Sequence, residues 1–345
     1  MRKNSGVLRL VCVFAVCIAL ISYNTYSFCF KGRAEADIIT KIPADTALLP
    51  TDEETKTDET VSEETPLKEI TEESTPASTD GNVKGKVISR YISPYNAGLS
   101  YDGVYMKNST DLDVNIKELL TSPLTFKIEK SDSPQVLIVH THTTETYMTE
   151  DADCYTDAFS SRTRDSNKNM VSVGKIVAEK LNNAGIKTLH DTTEHDYPNY
   201  TGSYSRAATT INGYLKKYPS INVVLDLHRD AVSSGESDKV KLVTEIEGKK
   251  AAQVMLVMGS QSGSVTNFPN WKENLKLAVR LQQKIEEKYP TLARPLSLMP
   301  KNYNESLTKG SLLIEFGTDV NTLEEAHYSA ELVGNALAEL LSGIT

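Results

Sequence analysis

The sequence predicts an α/β domain: a twisted, mostly parallel central sheet with helices on both faces, preceded by a membrane anchor. Three observations carry this expectation. Over residues 135–345, short β-branched apolar runs alternate with longer amphipathic ones, the pattern of strands joined by crossover helices. Three of those strands end in clusters of His, Asp and Glu. The first 85 residues, by contrast, have a composition that cannot build a core.

Val136–Val139 reads as a buried strand. Val173, Ile176, Val177 and Leu181 then share one helical face, and Ala184-Gly185 closes that helix. Ile186–Leu189 is a short strand, and a second helix runs from about Tyr204 to Lys217, ended by Tyr218-Pro219. Ile221–Leu227 is a strongly apolar strand leading into His228. Val240–Ile246 and Ala252–Met258 are expected to pair as antiparallel neighbours across a turn at Glu247-Gly248. A long helix covers Trp271–Lys288 and stops before Pro290; Leu312–Ile314 is another buried strand. Thr322-Leu-Glu-Glu325 is a capping box opening a last helix, with Ala326, Ala330, Val333, Leu337 and Leu340 as its apolar face. Residues 86–134 hold a short strand near Gly103–Met106 and a helix around Val114–Leu120, and read as a lead-in packed on the catalytic domain of residues 135–345.

Residues 1–34 read as a signal anchor. Arg2 and Lys3 precede an apolar run, and Leu10–Phe30 has the ~20-residue length of a membrane helix. Ala34-Glu-Ala36 has a small-x-small form but lies beyond Lys31 and Arg33, which is poor placement for cleavage. Residues 35–85 are rich in Thr, Glu, Asp, Ser and Pro, a disordered acidic linker that carries most of the net charge of −9. The acidity therefore says little about the globular part, and nothing in it points to nucleic acid. Of the four cysteines, Cys154 alone falls in the globular region, so no disulfide can form within it.

Chemistry concentrates at the three strand ends: His140-Thr-His142-Thr-Thr-Glu145, then Asp226-Leu-His228-Arg-Asp230, then Glu315-Phe-Gly-Thr-Asp319. Parallel strands would present these ends on one side of the sheet, where open α/β sheets bind ligands. Imidazoles and carboxylates are zinc ligands, and a hydrolytic zinc site needs three of them, an open position and a proton-carrying carboxylate. Each residue also has a plainer reading: His228 capping its strand, for instance, or Glu315 pairing with Arg229.

The run His140-Thr-His142-Thr-Thr-Glu145-Thr-Tyr147, followed by Asp226-Leu-His-Arg-Asp-Ala231 and Glu315-Phe-Gly317-Thr-Asp-Val-Asn321, resembles the stage II sporulation protein P family and, more widely, zinc-dependent N-acetylmuramoyl-L-alanine amidases. The resemblance implies that zinc is the cofactor, that His142 and His228 are zinc ligands and that Glu315 is the catalytic carboxylate. For the third ligand it leaves two residues open: Asp165, four residues ahead of Asn169, and Glu145, beside the first histidine. His140 would be a supporting group or an alternative ligand, and Asp230 a supporting group; Arg162, Arg164, Arg206 and Arg229 have the guanidinium fork to bind substrate carboxylates, with a structural ion pair as the alternative for each. The resemblance further implies a peptidoglycan substrate, cut between N-acetylmuramic acid and L-alanine and possibly at crosslinks. It implies action at the sporulation septum during engulfment, from a single-pass membrane anchor with the catalytic domain outside, alongside a lytic transglycosylase and a membrane scaffold protein. Two other readings stay open: a zinc peptidase acting mainly on crosslinks, and a non-catalytic wall-binding scaffold.

Overall fold

The computed structural model describes residues 81–344. The expected anchor and all but the last residues of the expected linker lie outside the described residues. Among the described residues no helix is long and apolar enough to cross a membrane.

The described residues build two sheets. The larger is ordered β2-β3-β12-β11-β13-β7-β4-β6, where β2 is Leu99–Tyr101, β3 Val104–Asn108, β4 Val136–Val139, β6 Thr188–His190, β7 Val223–Asp230, β11 Val254–Gly259, β12 Leu296–Met299 and β13 Gly310–Thr318. Strands β13, β7, β4 and β6 run parallel to one another, but β11 pairs antiparallel with β13, and β12 and β3 follow the direction of β11. The sheet is thus mixed, which corrects the expectation of a mostly parallel one. The alternation of strand and helix signals is the same for either direction; the edge at which a returning strand docks decides it.

The reversal begins at the hairpin. β9 (Asp238–Ile246) pairs with β10 (Lys249–Ala252), not with the whole of Ala252–Met258. Glu247 and Gly248 both take positive φ, 51° and 76°, the conformation of a two-residue type I′ turn. After Gln253 the chain leaves this smaller sheet, and β11 enters the central one. The smaller sheet is completed by β1 (Val83–Arg90), β5 (Cys154–Thr156) and β8 (Ser233–Ser234). Residues 83–134 thus supply β1 to the small sheet and β2 and β3 to the edge of the large one. They also supply α1 (Ile116–Thr121), which packs on α4 (Trp271–Lys288).

The alternation of β4 shows how the layers form. Val136 and Ile138 join the main core with α2 (Met170–Asn183), α4 and α5 (Leu323–Ser342). Leu137 and Val139 face the other way and pack with Val224 against Ile211 of α3 (Ser203–Lys217). A strand buried on both faces reads as a continuous apolar run. Asn169 caps α2 by accepting from Val171 N, and Gly185 closes it at φ 80°. The expected capping box of α5 is formed: Thr322 Oγ1 accepts from Glu325 N at 3.1 Å, and Glu325 Oε2 accepts from Thr322 N at 3.0 Å.

Two helical glycines separate packing from propensity. A Cβ on Gly174 of α2 would lie 2.6 Å from both His140 Nε2 and His190 Nε2, whereas one on Gly213 of α3 would meet nothing within 4 Å. Ala gains about 1 kcal/mol over Gly in a helix, but overpacking costs about 1–3 kcal/mol. Thermal unfolding should therefore show Gly213→Ala stabilised and Gly174→Ala destabilised by a few degrees. Equal shifts in both would mean that the His140–His190 contact is not tight.

Candidate active site

On the α3 face, β7 presents Asp226, His228 and Asp230 in alternation, while Leu225 and Leu227 point into the main core. Glu315 of β13 stands directly beside His228 in the register. The ladder breaks between Glu315 and Thr318, and Gly317 makes this possible. Its φ is +66°, and an added Cβ would meet Asn321 Oδ1 at 2.6 Å and Ala252 Cβ at 2.7 Å. Asn321 Oδ1 accepts from Thr318 N at 2.8 Å, holding the strand end that carries Glu315.

The loop after β4 brings His142 and Glu145 to the same place. The His142 and His228 rings are 5.2 Å apart, edge to face. Glu145 Oε2 lies 3.7 Å from His228 Nδ1 and accepts from Arg229 N at 3.3 Å. Asp226 ties β7 to the β4 end, accepting from Thr141 N and Thr141 Oγ1 at 2.8 and 2.6 Å. Its Oδ1 is 2.9 Å from His228 Nε2, an ion pair that holds the imidazole in place. His142 Nδ1 and Glu315 Oε2 are buried and unpartnered. Tyr200 stacks on His142 at 4.6 Å, and Tyr204 of α3 presents its edge to the same ring at 5.6 Å.

Burial and crowding set the charges. Burial holds His142 well below its ordinary value, helped by the positive charge of His228 and Arg162. Burial also pulls His228 down, but Asp226, Glu145 and Glu315 outweigh it and raise it to about 9. Glu315 is raised to about 8 by burial and then by Asp230, with His228 opposing. Several carboxylates thus compete for one buried cation, and two polar atoms, His142 Nδ1 and Glu315 Oε2, lack any partner. Such orphaned buried atoms carry an energetic penalty of about 1–3 kcal/mol each. The donor set therefore suits a divalent cation chemically. Among the described residues, no group of three or more His, Cys, Asp or Glu side chains has the spacing of a metal site.

Other residues picked out in the sequence lie elsewhere. Asp165 is on the surface, its side chain 39 % exposed, accepting from Asn167 N and Nδ2 and facing Lys168 at 3.5 Å. His140 turns to the core side of the sheet. Its Nδ1 donates to Leu227 O at 3.0 Å, because a carbonyl can only accept, and its Nε2 therefore accepts from His190 Nε2 at 2.8 Å. Arg164 pairs with Glu194 at 2.9 Å and lies over Tyr197. Arg162 pairs with Asp196, and Arg206 donates to the carbonyls of His195, Asn199 and Thr201. Arg229 is buried and donates to the carbonyls of Thr146 and Ser161 at 3.1 and 2.7 Å. Asp230 accepts from Arg294 Nη1 at 2.9 Å. Tyr200, Tyr204, His190 and Arg294 were not legible as site residues: Tyr204 reads only as the start of a helix, and Arg294 precedes a proline in a loop.

Among solved structures, the chain is similar to the N-acetylmuramyl-L-alanine amidase Ami1 of Mycobacterium abscessus, at 10% identity and a TM-score of 0.35, over 61% of this chain and 99% of that one. It is also similar to the CwlD amidase of Clostridioides difficile, solved in complex with the GerS lipoprotein, at 10% identity and a TM-score of 0.40, over 60% and 98%. Among curated proteins it is 28% identical over 225 residues to stage II sporulation protein P of Bacillus subtilis (strain 168). That match covers 61% of this chain and 51% of the relative, so the chain spans about half the relative's length. The sequence profile of the family described as Stage II sporulation protein P (SpoIIP) matches residues 29–338, nearly the whole chain. This chain belongs to the Stage II sporulation protein P family.

Proposed function

We propose that this chain is a zinc-dependent peptidoglycan hydrolase that cleaves the amide between N-acetylmuramic acid and L-alanine. The observation that carries the reading is the convergence of His142, His228, Glu145 and Glu315 in one buried cluster whose donor atoms are partly unpartnered. His142, His228 and Glu145 would hold the metal. Glu145 is preferred to Asp165 because it faces His228, whereas Asp165 is engaged at the surface. A zinc ion there supplies a Lewis acid for the scissile carbonyl and a water whose pKa falls towards ~7. Glu315 takes the proton of the attacking water and returns it to the leaving amine. Burial raises the proton affinity of Glu315, so that its ionised form is a strong base towards the water and its protonated form can then donate to the amine. Asp226 and the Thr141 backbone fix the end of β7 behind His228, and Tyr200 holds the His142 ring by stacking.

Family membership supports a role in sporulation; within it, we read the site as thinning septal peptidoglycan during engulfment. The enzyme would work from a membrane anchor at residues 1–34 on an acidic spacer, with its domain outside the membrane. A lytic transglycosylase and a membrane scaffold protein would act beside it. The unpartnered donors speak against a purely wall-binding scaffold, where nothing would offset the cost of burying them.

Mass spectrometry of products released from purified sacculi tests the reading. Glycan strands freed of peptide and intact stem peptides are expected; split crosslinks with muramyl amides intact would instead make the enzyme a peptidase. Full-length protein should also fractionate with membranes, and recovery from the medium would remove the anchor from this account.

A further inference from the structure

One tyrosine stands on the side of the cleft away from the proposed zinc ligands. Between β12 and β13 the chain folds back over the sheet face that carries the reacting groups. Met255 and Val257 of β11 are the antiparallel register partners of Glu315 and Leu313, so these four side chains share that face. Tyr303 packs on the cluster of Met255, Val257 and Leu313. Its ring lies 6.1 Å from that of Tyr204, which in turn meets the His142 ring at 5.6 Å and the His228 ring at 6.5 Å. Across the face the order is therefore His142 and Glu145 after β4, His228 on β7, Glu315 on β13, and Tyr303 over β13 and β11.

The loop holds this tyrosine in a conformation that a bulky residue rarely takes. Tyr303 and Asn304 both have positive φ, 50° and 58°, and such backbone persists only where its surroundings over-determine it. Three elements do so here. Asn304 Nδ2 donates to Tyr204 O of α3 at 2.8 Å. Glu305, 2 % exposed, accepts from Gly259 N of β11 through Oε2 at 2.7 Å and from Asn274 Nδ2 of α4 through its carbonyl at 2.7 Å. The phenol so presented is half-buried, and among the described residues its hydroxyl makes no hydrogen bond. Burial, with Glu305 and Glu315 adding to it, holds the phenol well above its ordinary value, so it keeps its proton and acts as a donor. Neighbouring polar groups are already committed. Tyr200 OH bonds His142 Nε2 at 3.2 Å, and Arg206 and Arg229 donate to backbone carbonyls.

We infer that the Tyr303 hydroxyl is a specificity contact for the peptide side of the substrate, donating a hydrogen bond to the L-alanine carbonyl just beyond the scissile amide. The inference rests on the muramyl-amide reading above. Glu315 stands between the proposed zinc ligands and Tyr303. The scissile carbonyl belongs on the ligand side, and the leaving nitrogen belongs on the Glu315 side, where it receives its proton. The first polar group past that nitrogen is the L-alanine carbonyl, which can only accept. A neutral phenol without a partner, fixed beyond Glu315, supplies the donor it needs.

The test uses the full chain with zinc and two muramyl tripeptides, one natural and one with sulfur in place of the L-alanine carbonyl oxygen. Sulfur is a poorer acceptor, and the rest of the peptide is unchanged. Hydrolysis is read as kcat/KM, and equilibrium binding is read on Glu315→Gln. The unaltered chain should prefer the oxygen peptide about 3- to 10-fold, the worth of one neutral hydrogen bond. Tyr303→Phe keeps the ring on its apolar bed and should remove most of that preference, in rate and in binding, by slowing the oxygen peptide alone. Equal hydrolysis and binding of both peptides by the unaltered chain overturns the contact and leaves the hydrolase standing. So does a Tyr303→Phe chain that loses rate equally on both peptides, the mark of a structural fault. A binding preference that Tyr303→Phe removes, with no hydrolysis of either peptide, would retain the contact and overturn the activity. Neither binding nor hydrolysis would overturn both.

Discussion

Glu315→Gln is expected to slow wall hydrolysis by about 10²–10⁴-fold, the usual worth of a general acid–base group, without loss of fold or bound zinc. Gln preserves the shape and polarity of the side chain and removes only its ability to carry a proton. Glu315 is buried, its Oε2 has no partner, and burial already disfavours its charged form. A neutral amide at that position should therefore leave the thermal midpoint of the metal-free chain unchanged or slightly raised. Metal analysis after dialysis, run beside the rate measurement, separates the roles. A variant that loses its zinc along with its activity would make Glu315 a ligand, and the proton would need another carrier.

The second large effect distinguishes two carboxylates that look alike in sequence. Glu145→Ala should lose zinc on dialysis and activity with it, because on the proposed assignment it removes one of three protein ligands and would leave two imidazoles to hold the ion. Asp165→Ala should keep stoichiometric zinc and near-normal turnover. Asp165 there holds only a surface turn to Asn167 and a 3.5 Å contact with Lys168, and such exposed contacts contribute at most about 1 kcal/mol. Chelation should abolish the activity of the unaltered chain, and added zinc should restore it. The reverse pattern, with zinc kept by Glu145→Ala and lost by Asp165→Ala, would require the loop before α2 to turn inwards and would displace Glu145 from the site.

Much of the architecture follows from local pattern. Four buried residues, Val136–Val139, form β4; the 3.6-residue spacing of Val173, Val177 and Leu181 forms α2; Thr322 and Glu325 form the capping box that starts α5. These features depend on near neighbours in the chain, through burial period and hydrogen bonds a few residues apart. The polar ends of β4, β7 and β13 were legible for the same reason: each interrupts an apolar run with groups that need a partner.

By itself, then, the sequence determined the helices and the central strands β4, β7 and β13 with the residue types at their ends, but not β1, β5, β8 or β12, nor the division between β10 and β11. The tertiary structure decided how those segments face one another. It set β11, β12 and β3 against the direction of β7, because strand direction depends on the edge that a returning strand joins. It turned His140 to the core against His190 and left His142 beside His228, although the two histidines are only two residues apart. The strand ends at Val139, and past that point the alternation of faces no longer applies. It also brought Arg294 across the sheet end to Asp230, a pairing of residues 64 positions apart. Local patterns are fixed by near neighbours, whereas long-range register is fixed by how well whole faces pack, which no window of sequence contains.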